Sequence, residues 1–291
     1  MRILTCLLLV AVATAAAQVD GRTKAQLLRR PYATAAETSE KDREYFVYLP
    51  QGYDTEKGKL WPVLLFLHGG GERGDGKAGL EKVLKHGPLM EAWGKGRDLP
   101  FVIISPQLHT NPAPVPLPRG VTPNAAPRAL PPISRAMPDT PSPWGPEGPP
   151  LGWWTVEKDL LAMVDATLKE FRGDPDRVYL TGLSYGGFGT WYMAGTHASR
   201  WAAAAPICGA ADPKVIPLIA AAQLPIWIIE GGKDPVVRPE WVTQSAIDLE
   251  KAGHRAVRYT VHEDLSHDVW TRVYEGWDIY NWLLQHRRKR D

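Results

Sequence analysis

The sequence predicts an α/β fold: a mostly parallel central sheet with helices on both faces. Three observations lead there. Short apolar runs alternate along the chain with stretches of helical periodicity. The run Trp61 to Leu67 is apolar at nearly every position, as a strand buried on both faces should be. Three of the runs lead directly into glycine-containing turns, at His68-Gly69-Gly70-Gly71, Cys208-Gly209 and Glu230-Gly231-Gly232.

Composition is that of a globular protein. The chain has 291 residues, 44% hydrophobic and 23% charged. A formal net charge of +2 is too small to draw the protein to nucleic acid or to a membrane surface, so neither is expected as a partner. The run Arg287-Arg288-Lys289-Arg290 reads as a solvated helix end, where cations suit the dipole. There is no internal repeat.

Residues 1–17 read as a signal peptide. Arg2 supplies a positive start, Ile3 to Thr14 is an apolar stretch too short to span a bilayer comfortably, and Ala15-Ala16-Ala17 fits a small-residue cleavage site. Residues 18–291 then form one domain, secreted or periplasmic, with no stable membrane span after cleavage. Cys6 leaves with the signal, so only Cys208 remains and no intramolecular disulfide is possible. Cys208 reads as a small buried hydrophobe.

Glu44 to Leu49 alternates as a strand and ends at Pro50. Trp61 to Leu67 follows, then Phe101 to Ser105. Between Pro106 and Pro150 lie 15 of the 27 prolines. Proline excludes helix interiors and central strands, so this insert, at about 106–150, reads as loop or extended chain. The composition of Val115 to Asp139 predicts disorder. The alternative is a lid, since the segment starts directly after a strand. Thr155 is placed to cap a helix with apolar positions Leu160, Val164, Leu168 and Phe171. Strands at 178–181, Ala202 to Ile207, Ile226 to Ile229 and Val257 to Val261 follow. Helices fall after residue 184, around Glu240 to Ala252, and in a final stretch carrying Trp270, Tyr274, Trp277 and Trp282.

The chemistry gathers at Gly182-Leu183-Ser184-Tyr185-Gly186, between a strand and a helix start. A serine on so sharp a turn needs neighbours without bulk, and it then stands exposed at a helix N-terminus that favours developing negative charge. A serine nucleophile needs a histidine to take its proton, and that histidine needs a carboxylate. Asp234 directly follows a buried strand; Asp212 is its competitor. Of His254, His262, His267 and His286, only His267 lies in a short loop between the last strand and the last helix. Three glycines after the strand ending at Leu67 let backbone amides approach a ligand, which suits a second oxyanion donor. His68 reads as loop-shaping. Glu72 and Arg73 either pair with one another or face substrate, and the structural role is the favoured reading. No metal-ligand spacing is present, so no metal or cofactor is expected.

The sequence resembles secreted α/β-hydrolases of the predicted-peptidase group, close to polyhydroxybutyrate-depolymerase-like and feruloyl-type esterases. The resemblance rests on Leu-His-Gly-Gly-Gly-Glu-Arg-Gly at 67–74, Ile-Ser-Pro-Gln at 104–107, the segment 178–191 around Ser184, Ala-Pro-Ile-Cys-Gly at 205–209, Gly-Lys-Asp-Pro-Val-Val at 232–237 and Ser-His-Asp-Val-Trp at 266–270. It implies Ser184 as nucleophile, His267 as base and Asp234 as orienter. The backbone amides near Gly70 and Tyr185 would be the oxyanion donors. Tyr185 stands where the family often has Met, and the proline-rich insert is a further departure. The expected activity is ester hydrolysis through an acyl-enzyme, on a small-molecule or polymer-borne ester. A serine peptidase, or a binding protein on the same fold, is the alternative. Trp144, Trp153 and Trp154, beside the insert, are placed to line an acyl pocket.

Overall fold

The computed structural model describes residues 24–36, 41–110 and 152–288. The signal segment, Trp144 and most of the proline-rich insert, including Val115 to Asp139, lie outside the described residues.

One eight-stranded sheet organises the chain. Its strands are β1 (Gln26–Ala33), β2 (Asp42–Leu49), β3 (Trp61–Leu67), β4 (Val102–Ser105), β5 (Gly173–Leu183), β6 (Ala203–Ile207), β7 (Ile226–Gly231) and β8 (Val257–His262). They lie in the order β1-β2-β4-β3-β5-β6-β7-β8. Pairing is antiparallel for β1 with β2 and β2 with β4, and parallel from β4 to β8. The sequence leaves β1 unrecognised. Its QLLRRPYA run carries two arginines and a proline, and proline is tolerated here because β1 is an edge strand.

Every residue of β3 is buried. Val63, Leu65 and Leu67 join the core on one face of the sheet; Leu64 and Phe66 join the core on the other. Helices α1 (Glu157–Glu170), α2 (Tyr185–Thr196), α3 (Ile216–Ala222) and α4 (Pro239–Lys251) cover the first face through Leu160, Met163, Trp191, Ile219, Val242 and Leu249. Helices α5 (Trp270–Glu275) and α6 (Asp278–Leu284), with the segments around Leu80 and Leu89, cover the second. Each large side chain buried this way contributes roughly 1.5–3 kcal/mol.

Three local expectations need correction. Thr155 does not cap α1: its hydroxyl donates to the Gly152 carbonyl at 2.8 Å, inside a 3-10 turn over Trp153–Val156 that precedes the helix. The final helix is two, because the backbone turns extended at Gly276, and Trp277 is left exposed between them. At the C-terminus, Arg287 is exposed as expected but lies beyond the end of α6, and it reaches Asp174 at the start of β5, 3.2 Å away.

Candidate active site

Parallel strands bring their C-terminal ends to one edge, and three of those ends carry the functional side chains. Ser184 sits between β5 and α2 with φ +53° and ψ −117°, a backbone conformation that non-glycine residues rarely adopt. Its N–H donates to the Ile207 carbonyl at 3.0 Å, which ties the turn to the end of β6. Gly182 and Gly186 are required by contact. A Cβ on Gly182 would lie 2.4 Å from the Gly186 carbonyl oxygen, and one on Gly186 only 1.8 Å from that of Leu67.

Asp234 follows β7 in a tight turn, its N–H donating to the Gly231 carbonyl at 3.1 Å. His267 opens a 3-10 turn after β8. The loop that carries it crosses directly over Gly231, where a Cβ would lie 2.1 Å from the Ser266 carbonyl oxygen. His267 Nε2 is 3.0 Å from Ser184 Oγ, and its Nδ1 is 2.6 Å from Asp234 Oδ2. Asp234 Oδ1 accepts the N–H groups of Val236 and Val237 at 2.7 and 3.0 Å. The Trp270 ring meets the His267 ring edge to face, with centroids 5.1 Å apart. The serine hydroxyl, imidazole and carboxylate thus form one line, and proton transfer from Ser184 to His267 needs no movement of the backbone.

The competitors lie elsewhere. Asp212 accepts the Lys214 N–H in its own turn. His254 is buried, with Nε2 at the Leu224 carbonyl and Nδ1 accepting the Ala256 N–H. His262 is the last residue of β8, and His286 meets Trp282 edge to face.

The loop after β3 lies beside the serine. A Cβ on Gly69 would be 3.7 Å from Ser184 Cβ, and one on Gly70 would be 3.3 Å from the Tyr185 ring. Tyr185 is the first residue of α2, so its N–H has no partner within the helix. The Arg73 guanidinium lies over the Tyr185 ring, 4.6 Å from its centroid. The Glu72 carboxylate sits between His68 and His86, at 4.0 and 3.9 Å, and not against Arg73.

His68 shapes this loop, as its place in the sequence suggests. Its Nδ1–H donates to the Gly69 carbonyl at 2.6 Å, and its Nε2 accepts the Leu108 N–H at 2.9 Å. Acceptance at Nε2 requires the neutral ring, and burial pushes its pKa down to about 3. The unfolded chain takes up that proton near pH ~6.5. The His68 contribution to stability is therefore complete above about pH 6.5 and is lost as the pH falls toward about 3, at ~1.4 kcal/mol per pH unit. In urea titrations over this acid range, His68→Gln should show a dependence of unfolding free energy on pH shallower by about one proton. An unchanged slope would mean that His68 titrates alike in both states.

Two supports escaped the sequence reading. Trp153 does not line an acyl pocket: it is fully buried, its ring packs edge to face on His68, and its indole N–H donates to the His68 carbonyl at 3.2 Å. Trp154 packs near Tyr192. Gln107 bridges the far side of the glycine loop, donating to the carbonyls of Glu72 and Gly79 and accepting the Gly76 N–H. The signals for Gln107 in the sequence are its position two residues beyond a buried strand and its place in the Ile-Ser-Pro-Gln segment at 104–107, and neither shows what it bonds.

Cys208 is buried behind the site, and its sulfur lies within 4.8 Å of ligand-type atoms of Asp234 and His267. The trio suits a metal poorly. Burial pushes the thiol pKa well up, away from the thiolate a metal needs, and His267 Nδ1 is already engaged with Asp234.

A fold of this topology, with a serine on a strained strand-to-helix turn, is the α/β-hydrolase fold. Residues 152–217 match the prolyl oligopeptidase family. A thermostable esterase is similar over 90% of this chain, at 26% identity and TM-score 0.62; the chain spans 63% of that esterase's length. A ferulic acid esterase is similar over 90% of this chain and 97% of its own, at 17% identity and TM-score 0.59. The acylaminoacyl peptidase of Pyrococcus horikoshii is similar over 91% of this chain and 43% of its own, at 14% identity and TM-score 0.55. No curated protein matches the chain by sequence. The chain is thus similar in fold to esterases and to an acylaminoacyl peptidase, and over residues 152–217 to the prolyl oligopeptidase family.

Proposed function

We propose that the protein is a secreted or periplasmic carboxylic ester hydrolase that works through a Ser184–His267–Asp234 triad. The observation that carries this reading is the unbroken line from Ser184 Oγ through the imidazole to Asp234, with links of 3.0 and 2.6 Å. Ser184 Oγ attacks the ester carbonyl as its proton passes to His267 Nε2. The N–H groups of Gly70 and Tyr185 stabilise the oxyanion. The tetrahedral intermediate expels the alcohol, which takes the proton from Nε2. Water, deprotonated by His267, then releases the acid. Asp234 holds Nδ1–H and stabilises the imidazolium. Export rests on residues 1–17. Among the described residues no helix is long and apolar enough to cross a membrane.

The acyl or alcohol group would rest between Tyr185, next to the nucleophile, and Trp270, edge to face with the base. Small-molecule and polymer-borne esters both suit a site at a sheet edge. Peptide hydrolysis is the second reading, favoured by the match to the prolyl oligopeptidase family. The test compares p-nitrophenyl acetate with p-nitroacetanilide, which share acyl group and ring. A kcat/KM larger by orders of magnitude for the ester is expected. Comparable turnover of the anilide would reverse the assignment to peptidase.

A further inference from the structure

Glu230 is the penultimate residue of β7, before the turn to Asp234, and it is 0% exposed. Its Oε1 accepts the Gly231 N–H at 2.9 Å. Its carboxyl also meets the Asp234 carboxyl, side chain to side chain. Its Oε2 is buried, and among the described residues no donor reaches it. Asp234 is differently served, with two backbone N–H groups on Oδ1 and the His267 Nδ1–H on Oδ2.

Two touching carboxylates buried in a fold do not both keep their charge, because desolvation and mutual repulsion add. One proton must lie between them. Three N–H donors favour the charged form at Asp234, whereas Glu230 has one. A proton on Oε2 also gives that orphaned oxygen something to do: it becomes a donor, and Asp234 is the acceptor beside it.

We propose that Glu230 is a neutral carboxylic acid that donates a hydrogen bond to Asp234 and acts as a positioning residue behind the Ser184–His267–Asp234 line. This rests on the triad reading above. Burial and the nearby Asp234 charge both push the Glu230 carboxyl well above the usual carboxylate range, in the same direction as the geometry. Around the pair stand Cys208, Tyr259 on β8 and Glu240 on α4. Burial keeps the Cys208 thiol and the Tyr259 hydroxyl neutral, and as neutral or anionic groups neither can offer a counter-charge to an ionised Glu230. With the fourth donor in place, the roughly four acceptor sites of Asp234 are filled and its plane cannot turn. Oδ2 then faces Nδ1 throughout turnover, which keeps the imidazole in the tautomer that accepts from Ser184. The Glu230 proton itself goes nowhere.

Two variants and two spectra test this. Glu230→Gln keeps both bonds, since its amide N–H donates to Asp234 and its amide oxygen accepts the Gly231 N–H. Activity close to wild type is expected. Glu230→Leu removes the donor; kcat for p-nitrophenyl acetate should fall about 10- to 100-fold with KM unchanged, the scale of losing an outer partner of a reacting group. By NMR, the far-downfield His267 Nδ1–H resonance should be alike in wild type and Glu230→Gln and displaced in Glu230→Leu. By infrared difference spectroscopy at neutral pH, the carbonyl band of a protonated buried acid should be present in wild type and missing in Glu230→Gln.

Absence of that band, or a Glu230→Gln variant as slow as Glu230→Leu, overturns the proposal. Neither spectrum needs turnover. A wild type that shows band and resonance but hydrolyses no ester therefore counts against the ester hydrolase reading and for the Glu230 assignment. An active wild type without the band counts against Glu230 alone.

Discussion

Ser184→Ala should hydrolyse p-nitrophenyl acetate about a million times more slowly than wild type in kcat, the scale seen when a nucleophile that works as one unit with its base is removed. The variant should fold normally. Ser184 is held by backbone bonds, its N–H to Ile207 and its carbonyl to Phe188 at 3.0 Å, and alanine keeps both. The strained φ of +53° is as costly for alanine as for serine, so the urea midpoint should scarcely move. KM should stay near that of wild type, because the hydroxyl reacts but does not bind. A fluorophosphonate probe should label wild type and not the variant. If Ser184→Ala kept most of its activity while folded, another nucleophile would be at work and the mechanism proposed here would fall.

Gly186→Ala should have the second-largest effect, and for a different reason. On propensity alone the change is favourable, because alanine in a helix is better than glycine by about 0.8–1 kcal/mol. Contact opposes it. The new Cβ would sit 1.8 Å from the Leu67 carbonyl oxygen, 2.5 Å from its carbon and 2.8 Å from the His68 carbonyl oxygen. These are backbone atoms at the end of β3, where Leu67 is in register with Gly182, so no side chain can swing away. Overpacking of this kind costs ~1–3 kcal/mol or more, against a total stability of about 5–15. We expect a lower urea midpoint and loss of activity even in the folded fraction, since relief requires β3 to move and the Gly70 amide moves with it. Gly71→Ala is the control from the same loop region. Nothing lies within 4 Å of its Cβ position, so its stability should change little. Equal midpoints for the two variants would refute the steric account.

What was legible in the sequence follows from distance along the chain. Ser184 is readable because the strand, the flanking glycines and the helix start are contiguous. Asp234 and His267 are readable because each falls in a short connection after a strand, and parallel topology brings those connections together. Trp153 was misread because its partner, the His68 carbonyl, is 85 residues away, and a tryptophan beside a proline-rich insert looks like a pocket wall. Glu230 was passed over because a glutamate at a strand end ordinarily reaches water; only the packed fold shows a second carboxyl beside it. β1 hid because an edge strand tolerates the arginines and the proline that a central strand would exclude. The split between α5 and α6 hid because Trp270, Tyr274 and Trp277 keep helical spacing right up to it.

The order of strands across the sheet has a practical consequence. The chain between β4 and α1 separates β1, β2, β4 and β3 from β5, β6, β7 and β8, and these are the two contiguous halves of the sheet. A cut in that connection would leave two pieces whose strands pair only at β3 against β5, from Val63 with Val178 to Leu67 with Gly182, with side-chain contacts such as Trp153 on His68 and Phe66 on Tyr274 flanking that pair. Ser184, Asp234, His267 and Tyr185 all belong to the second piece, whereas Gly70, His68 and Gln107 belong to the first. On the mechanism proposed above, neither fragment would hold both the nucleophile and both oxyanion donors, so turnover by the mixed pair would report that the halves had joined.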